Sequence, residues 1–308
     1  MYGARSDNSH ALARAPRFAL ALCALAFAAL CGACAAAPGP DAARPRAAGE
    51  PPYPVLLSSD KDRRERALNT WTTLARDAGV AANPPAPELE PATATLRALP
   101  STPAVTLRLP PVEIKDGDKG SAEEATRESL RRFIAGARAL LGVTTEDLSL
   151  VEVREEAGAR VARYQQKPFP FPLRGGFGRV EIRFAPDRSV VALSSTAIPD
   201  SERPSRALVV ARARAISAHD VVPRLAGRAF NVTTTAGASE TYTVAAGEPV
   251  EVRELVVYPV ARASDPGTLE LRLAWEAAVG RGGEVLAYVD ALTGDVLAAV
   301  RAQQAARP

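Results

Sequence analysis

Two hydrophobic periods alternate along the chain. Between Asp60 and Ala78, Leu68, Trp71 and Leu74 recur at helical spacing and Gly79 supplies a stop, which predicts a short helix. A second helix is predicted from Ser121, where Ser121-Ala-Glu-Glu124 reads as a capping box. Leu130, Phe133, Ile134, Ala137, Leu140 and Leu141 then mark one face, and Gly142 ends it. From Leu148 the period falls to two. Val161–Gln166 reads as a strand, and in Gly178–Phe184 the residues Val180, Ile182 and Phe184 alternate against Arg179, Glu181 and Arg183. Pro186–Ser189 is turn chemistry, and Val190–Ser195 is the returning strand.

The same plan then recurs. Ser205 is placed to cap a helix running to about His219, with Leu208, Ala211, Ala215 and Ile216 inward. After a loop, Val252–Ala261, Leu269–Val279 and Val285–Asp290 alternate again. Leu271, Leu273, Trp275, Ala277 and Val279 share one face. Asp290-Ala-Leu-Thr-Gly294 is a turn, with Gly294 supplying a positive φ, and Val296, Ala298 and Val300 form the last strand. The expected fold class is α+β, two consecutive helix-plus-antiparallel-sheet units.

The N-terminus follows neither period. Arg14 and Arg17 precede an uncharged run from Phe18 to Leu30, 13 residues against the roughly 20 that a membrane-spanning helix needs. Small residues follow in Cys31-Gly32-Ala33-Cys34-Ala35-Ala36-Ala37, so the segment reads as an export signal. Gly32-Ala33-Cys34 matches the end of a lipoprotein signal, which would make Cys34 the lipidated first residue, although Cys31 stands where leucine is usual. Cleavage after Ala35 or Ala37 fits the same small residues. The Ala/Pro-rich stretch after Cys34 suits a tether. All three cysteines, Cys23, Cys31 and Cys34, fall in this region, so no disulfide, cysteine zinc site or cysteine nucleophile is expected in the fold. Many of the 26 prolines lie between Pro38 and Pro111, and 35–115 therefore reads as linker carrying a short helix and strands. Without Arg5, Arg14, Arg17 and Asp7 the net charge falls from +3 to +1. Its signs are interspersed, so no nucleic-acid footprint is present.

Candidate chemistry is sparse. His219-Asp220 has the make-up of a general base with its orienting carboxylate, but no serine or cysteine motif accompanies it. A histidine at a helix C-terminus, favoured by the macrodipole, is the simpler reading. Asp116-Gly-Asp-Lys-Gly120 opens like a calcium loop, yet Gly120, Ser121 and Arg127 stand where ligands and the turn glycine belong. Asp290 and Asp295 flank Gly294 as turn residues rather than as a metal pair, and Asn231-Val-Thr233 is a chance sequon behind a bacterial-type signal. Trp275 and Tyr288 are expected to pack within the sheet, and Arg163, Arg179 and Arg183 to form a solvated strand face.

Arg163-Tyr164-Gln165-Gln166, the turn Phe171–Gly176 and the strand pair Arg179–Phe184 with Asp187–Leu193 resemble the propeptides of thermolysin-like and fungalysin-like metallopeptidases. Leu273-Ala274-Trp275-Glu276 and Tyr288-Val289-Asp290-Ala291-Leu292-Thr293-Gly294-Asp295-Val296 resemble the end of a PepSY domain. The resemblance covers roughly residues 120–301, and its signature falls on Tyr164, Gln166, Gly175, Trp275, Tyr288, Asp290 and Gly294. Phe171 departs from it, standing where glycine is usual.

The expected division is a signal at 1–34 and the linker at 35–115, read from the residues, then, as the resemblance implies, a propeptide-like unit at 120–200 and a PepSY-like unit at 201–301, with a tail at 302–308. No His-Glu-x-x-His occurs, and His10 and His219 are the only histidines, so no zinc-peptidase site is expected in this chain. The expectation is a non-enzymatic, exported protein without cofactor or metal, lipid-anchored in the cell envelope, periplasmic or secreted. It would bind a thermolysin-like metallopeptidase in trans, as inhibitor or folding helper, and meet a membrane through its lipid anchor only. An envelope scaffold that reuses the fold, or a remnant of a peptidase precursor, are the alternatives.

Overall fold

The computed structural model describes residues 52–80, 83–100, 105–113, 119–167, 169–234 and 237–302. Residues 1–51, which include Cys34 and the segment read above as an export signal, and residues 114–118 and 303–308 lie outside them. Helix α1, Lys61–Asp77, begins where Asp60 accepts the Arg63 N–H at 2.6 Å and ends before Gly79 at φ 84°. Its buried stripe is Ala67, Trp71 and Ala75, one residue off the expected face, with Leu68 and Leu74 half-buried beside it. The hairpin β2 (Glu88–Leu89) and β3 (Leu96–Ala98) follows. Helix α2, Lys119–Gly136, starts two residues before the expected Ser121 cap. Helix α3, Arg138–Leu141, closes on Gly142 at φ 76°. Leu130, Phe133, Ile134, Ala137, Leu140 and Leu141 are all buried, as their spacing requires.

These helices cover one face of a four-stranded antiparallel sheet, β4 (Leu148–Glu156), β5 (Ala159–Gln166), β6 (Arg179–Phe184) and β7 (Val190–Ser195), ordered β4-β5-β6-β7. Ala162, Tyr164, Val180, Ile182 and Leu193 supply its core side. The segment after Val105 runs beside β7 with only an isolated bridge, Arg108 to Ser189, where a strand is expected.

The expected second unit is not a helix followed by a meander. Helix α4, Glu202–Arg212, is preceded by Ser201, so Ser205 lies inside it rather than at its N-cap. It does not run to His219: Ser217 starts a separate helix α5, Ala218–Leu225, through a capping box with Asp220. The local Ser217–Asp220 bonds outcompete helix continuation across Ala213–Ile216. The loop expected next contains the hairpin β8 (Ala229–Thr233) and β9 (Ser239–Thr243), followed by β10 (Val250–Arg262), β11 (Asp265–Val279), β12 (Val285–Asp290) and β13 (Val296–Arg301).

The proline-rich stretch read as linker contributes β1, Val55–Ser58, which pairs with β11 from Val55–Leu271 to Ser58–Thr268. The result is one seven-stranded mixed sheet, ordered β1-β11-β12-β13-β8-β9 with β10 on the other side of β11; β13 and β8 run parallel. Thirteen strands against five helices among the described residues overturn the expectation of two helix-plus-antiparallel-sheet units. The chain is strand-dominated, and its second sheet is built from both ends of the fold. Residues from 47 onward form one compact unit.

Candidate functional site

A cleft of about 520 Å³ lies where the two sheets meet. Its first wall comes from the end of β5. Gln166 is 6% exposed and its side-chain amide is used at both ends: Nε2 donates to the Ile198 carbonyl at 2.8 Å, and Oε1 accepts the Ile198 N–H at 2.9 Å. That pairing holds the exit from the first sheet against the entry to the second. Gly178, at φ 76°, lets the return strand pass, because a Cβ there would stand 2.6 Å from the Leu173 side chain.

The second wall is the turn Phe171–Gly176, stitched onto β10. Val257 N–H donates to the Pro172 carbonyl at 2.9 Å, and Arg174 N–H donates to the Val257 carbonyl at 3.0 Å. Gly175, at φ 67°, lies flat against the Tyr258 ring, which in turn sits 4.5 Å from the Tyr288 ring. Arg174 reaches down to Glu276 at 2.7 Å and across to Glu254 at 2.7 Å. Glu276 keeps only 7% of its side chain exposed and also faces Arg253 at 3.7 Å, so this buried carboxylate is paired with two guanidinium groups. Burial, with the Glu276 charge adding to it, pushes the Tyr288 hydroxyl up to about 12. Leu286, Phe169 and Leu173 complete the apolar lining, and Lys167 and Arg179 stand exposed at the rim. The arrangement suits holding an extended chain: apolar walls, a neutralised ionic floor and two rim cations.

A second cluster lies at the β12 turn. Asp290 is fully buried and accepts four hydrogen bonds: Leu292 N–H at 2.8 Å, Thr293 N–H at 3.0 Å, Arg272 at 3.1 Å and the Tyr53 hydroxyl at 3.0 Å. The Tyr53 oxygen also accepts the Leu273 N–H at 3.0 Å, tying the chain two residues before β1 into the sheet. Burial first, then the Asp290 charge, raises the Tyr53 hydroxyl far above its ordinary value. Gly294, at φ 78°, closes the turn, and a Cβ there would press on Arg224, whose guanidinium donates to the Thr293 carbonyl at 3.4 Å. The turn reading of Asp290 thus describes its role: its carboxylate oxygens serve backbone, tyrosine and arginine donors. Among the described residues, no three His, Cys, Asp or Glu side chains converge as metal ligands would.

The structure therefore sorts the sequence-derived residues. Gln166 and Tyr288 line the cleft and Gly175 belongs to its turn. Asp290 and Gly294 build the neighbouring turn. Tyr164 is 8% exposed in the core of the first sheet, away from both, and its hydroxyl is pushed up to about 12 by burial. Trp275 is half-buried and its Nε1 donates to the Ile216 carbonyl at 3.0 Å, fixing the α4–α5 connection to β11. His219 sits in the first turn of α5, not at a helix C-terminus, and Asp220 beside it is occupied by the Ser217 N–H and hydroxyl at 3.3 and 2.7 Å. Arg163, read as part of a solvated face, is instead clamped by Glu152, Glu156 and Glu181 at 2.7, 2.9 and 3.0 Å.

Sequence reasoning missed Arg174, Glu276, Arg272 and Tyr53. A lone acid within Leu273–Val279 and a lone base within Leu269–Leu273 are signals of buried pairing; Arg272 meets Glu270 two residues away, but Asp290 for Arg272 and Arg174 for Glu276 lie too far away in sequence to be named. Scans of the chain against family profiles and against curated proteins gave no match. Among solved structures, the Bacillus megaterium YpeB C-terminal domain is similar at 12% identity over 80% of this chain and 100% of that chain, with a TM-score of 0.28, a likeness too slight to bear on function.

Proposed function

We propose that this is a non-catalytic, exported, propeptide-like protein that binds a metallopeptidase in trans, inhibiting it or helping it fold. The observation that carries the reading is the juxtaposition of two propeptide-like sequence elements at one cleft. Gln166 and the Phe171–Gly176 turn meet Glu276 and Tyr288 there. A cleft that sets Phe169, Phe171, Leu173 and Leu286 beside a paired ionic floor, with cationic Lys167 and Arg179 at its rim, suits a protein segment better than a small polar substrate. The test uses the chain as bait against envelope and secreted fractions of its own cells, with each captured protein assayed for peptidase inhibition. A captured zinc peptidase, inhibited one to one and released about tenfold more readily by Lys167→Glu/Arg179→Glu, is the expected result. Capture that is indifferent to these substitutions would dissociate the cleft from the activity.

One observation favours a second reading, an envelope scaffold that reuses the fold. Asp290, Trp275 and Gln166 spend their polar atoms on internal bonds, as fold-keeping residues do. Capture of envelope components alone, with thermolysin-type enzymes unhindered, would select it.

A further inference from the structure

One end of the cleft between the sheets carries hydrogen-bond donors that the fold leaves unspent. Gln165 and Arg179 face each other across β5 and β6, Lys167 follows two positions after Gln165, and all three line the cleft. Gln166 beside them uses its amide at both ends, whereas the Gln165 side chain makes no hydrogen bond among the described residues. Its Nε2 lies over Gly178, 3.0 Å from where a Cβ would stand. The acids around this group are already engaged. Glu276 pairs with Arg174 and Arg253, Glu254 with Arg174, and Glu181 with Arg163. Asp147, whose carbonyl takes the Lys167 N–H at 2.7 Å, spends its carboxylate on the Thr144 N–H and hydroxyl at 3.1 and 2.9 Å. Among the described residues, the Lys167 and Arg179 side chains make no ion pair.

The surroundings of these donors say what they would take. The Thr196 hydroxyl accepts the Arg179 N–H at 3.2 Å and donates to the Gly176 carbonyl at 2.7 Å, which ties the Phe171–Gly176 turn to the start of β6. Phe169, Leu173 and Leu286 of the same cleft therefore stand beside the donors on a fixed frame. Two cations and one amide at the end of an apolar wall complement a single carboxylate carried between apolar side chains. A phosphate group is better served by a cluster of backbone N–H groups or a helix N-terminus. A wholly apolar segment would gain nothing from either cation. We infer that the cleft takes an extended, acidic segment of a partner protein: an aspartate or glutamate side chain lies among Gln165, Lys167 and Arg179, and its apolar neighbours lie against Phe169 and Leu286. This deepens the reading of the cleft as a site for a protein segment, on which it rests, and it holds whether or not the partner is a peptidase.

The experiment titrates the full chain into dansyl-Leu-Ala-Glu-Ala-Leu-amide and into its twins with glutamine or lysine in place of glutamate. In an extended chain residues two apart share a face, so both leucines lie on the side of the central residue. The glutamate peptide is expected to bind about tenfold tighter than the glutamine twin, and added salt should shrink that advantage. Lys167→Glu/Arg179→Glu should reverse the order, so that the lysine twin binds better than the glutamate peptide. A damaged fold would weaken all three peptides and could not produce that reversal. Both residues are exposed, so an unchanged thermal midpoint checks that the double variant is folded. Equal binding of the glutamate and glutamine twins, no binding of any peptide, or a preference that survives in the double variant would overturn the inference. So would a glutamine twin with a free C-terminal carboxylate that matches the glutamate peptide, because the site would then hold a chain end. Peptidase capture is read separately. A captured and inhibited peptidase with indifferent peptides would remove this inference alone, and discriminating peptides without any captured peptidase would remove only the proposed function.

Discussion

At the scale of single residues, the most consequential side chain is Asp290. Its carboxylate is fully buried and satisfied by two backbone N–H groups, an arginine and a tyrosine. Replacing Asp290 by alanine strands Arg272 and the Tyr53 hydroxyl together, and should cost about 3–5 kcal/mol in denaturant unfolding. Tyr53→Phe removes one donor and should cost about 1–2 kcal/mol. The same pair sets an alkaline dependence. Because burial and the Asp290 charge raise the Tyr53 hydroxyl, the folded state keeps a proton that the unfolded state loses above its ordinary value of about 10. Unfolding then releases a proton, so the stabilisation is whole below about pH 10 and shrinks as pH rises toward the folded value. Denaturant midpoints followed from about pH 8 to about pH 11 should fall, and fall less steeply in Tyr53→Phe. Parallel slopes would show that Tyr53 contributes nothing to it. Tyr164, Tyr242 and Tyr288, each pushed up to about 12, and Tyr258, raised by burial, account for the slope that remains.

At the scale of elements, β1 shows how a short strand outside any clear period is recruited. Val55 and Leu57 face the cluster of Leu208, Leu269, Leu271 and Leu273, while the backbone fills the part of β11 that β12 does not reach. Leu57→Asp places a charge in that cluster and should cost about 3 kcal/mol or more, freeing the segment before Lys61 for proteolysis. A protease pattern that stays unchanged would mean β1 is held by its backbone and Tyr53 alone. The elements legible in sequence were those with a buried stripe on one side: α2, β5, β6 and β11 carry their period openly. The hairpin β8–β9 was not legible because Ser239-Glu-Thr-Tyr-Thr243 has almost nothing to bury, with an exposed-to-intermediate pattern throughout. Its strandness comes from pairing with β13 and from Phe230 against Tyr242 at 6.0 Å.

At the scale of the whole molecule, the Pro172–Arg174 stitching ties the segment after β5 to β10, while the Gln166–Ile198 amide pair and the Arg63–Asp200 ion pair at 2.5 Å fix the β7–α4 connection to β5 and α1. Residues from 47 onward should therefore unfold in one cooperative step. The chain's only tryptophans report the two halves separately, Trp71 against the first sheet and Trp275 within the second. Trp71→Phe and Trp275→Phe chains, each followed by the fluorescence that remains, should show the same dependence on denaturant once their own stability changes are matched to circular dichroism. Separate transitions within one variant would divide the fold.

Local chemistry by itself determined the helix starts at Asp60 and near Ser121, the alternation of β5 to β7 and β10 to β13, and the turn at Asp290–Gly294. Each depends on residues within a few positions of one another, through capping, turn φ or a buried face. The architecture was decided only in three dimensions. Whether Val55–Ser58 is linker or strand, whether β8 lies parallel to β13, and whether Arg174 meets Glu276 102 residues away are settled by which partner can satisfy a backbone edge or a buried charge. That choice made one strand-rich body with a shared cleft out of what the periodicities alone describe as two repeated units. The physical reason is that an unpaired sheet edge and an unpaired buried carboxylate cost more than bringing distant chain together.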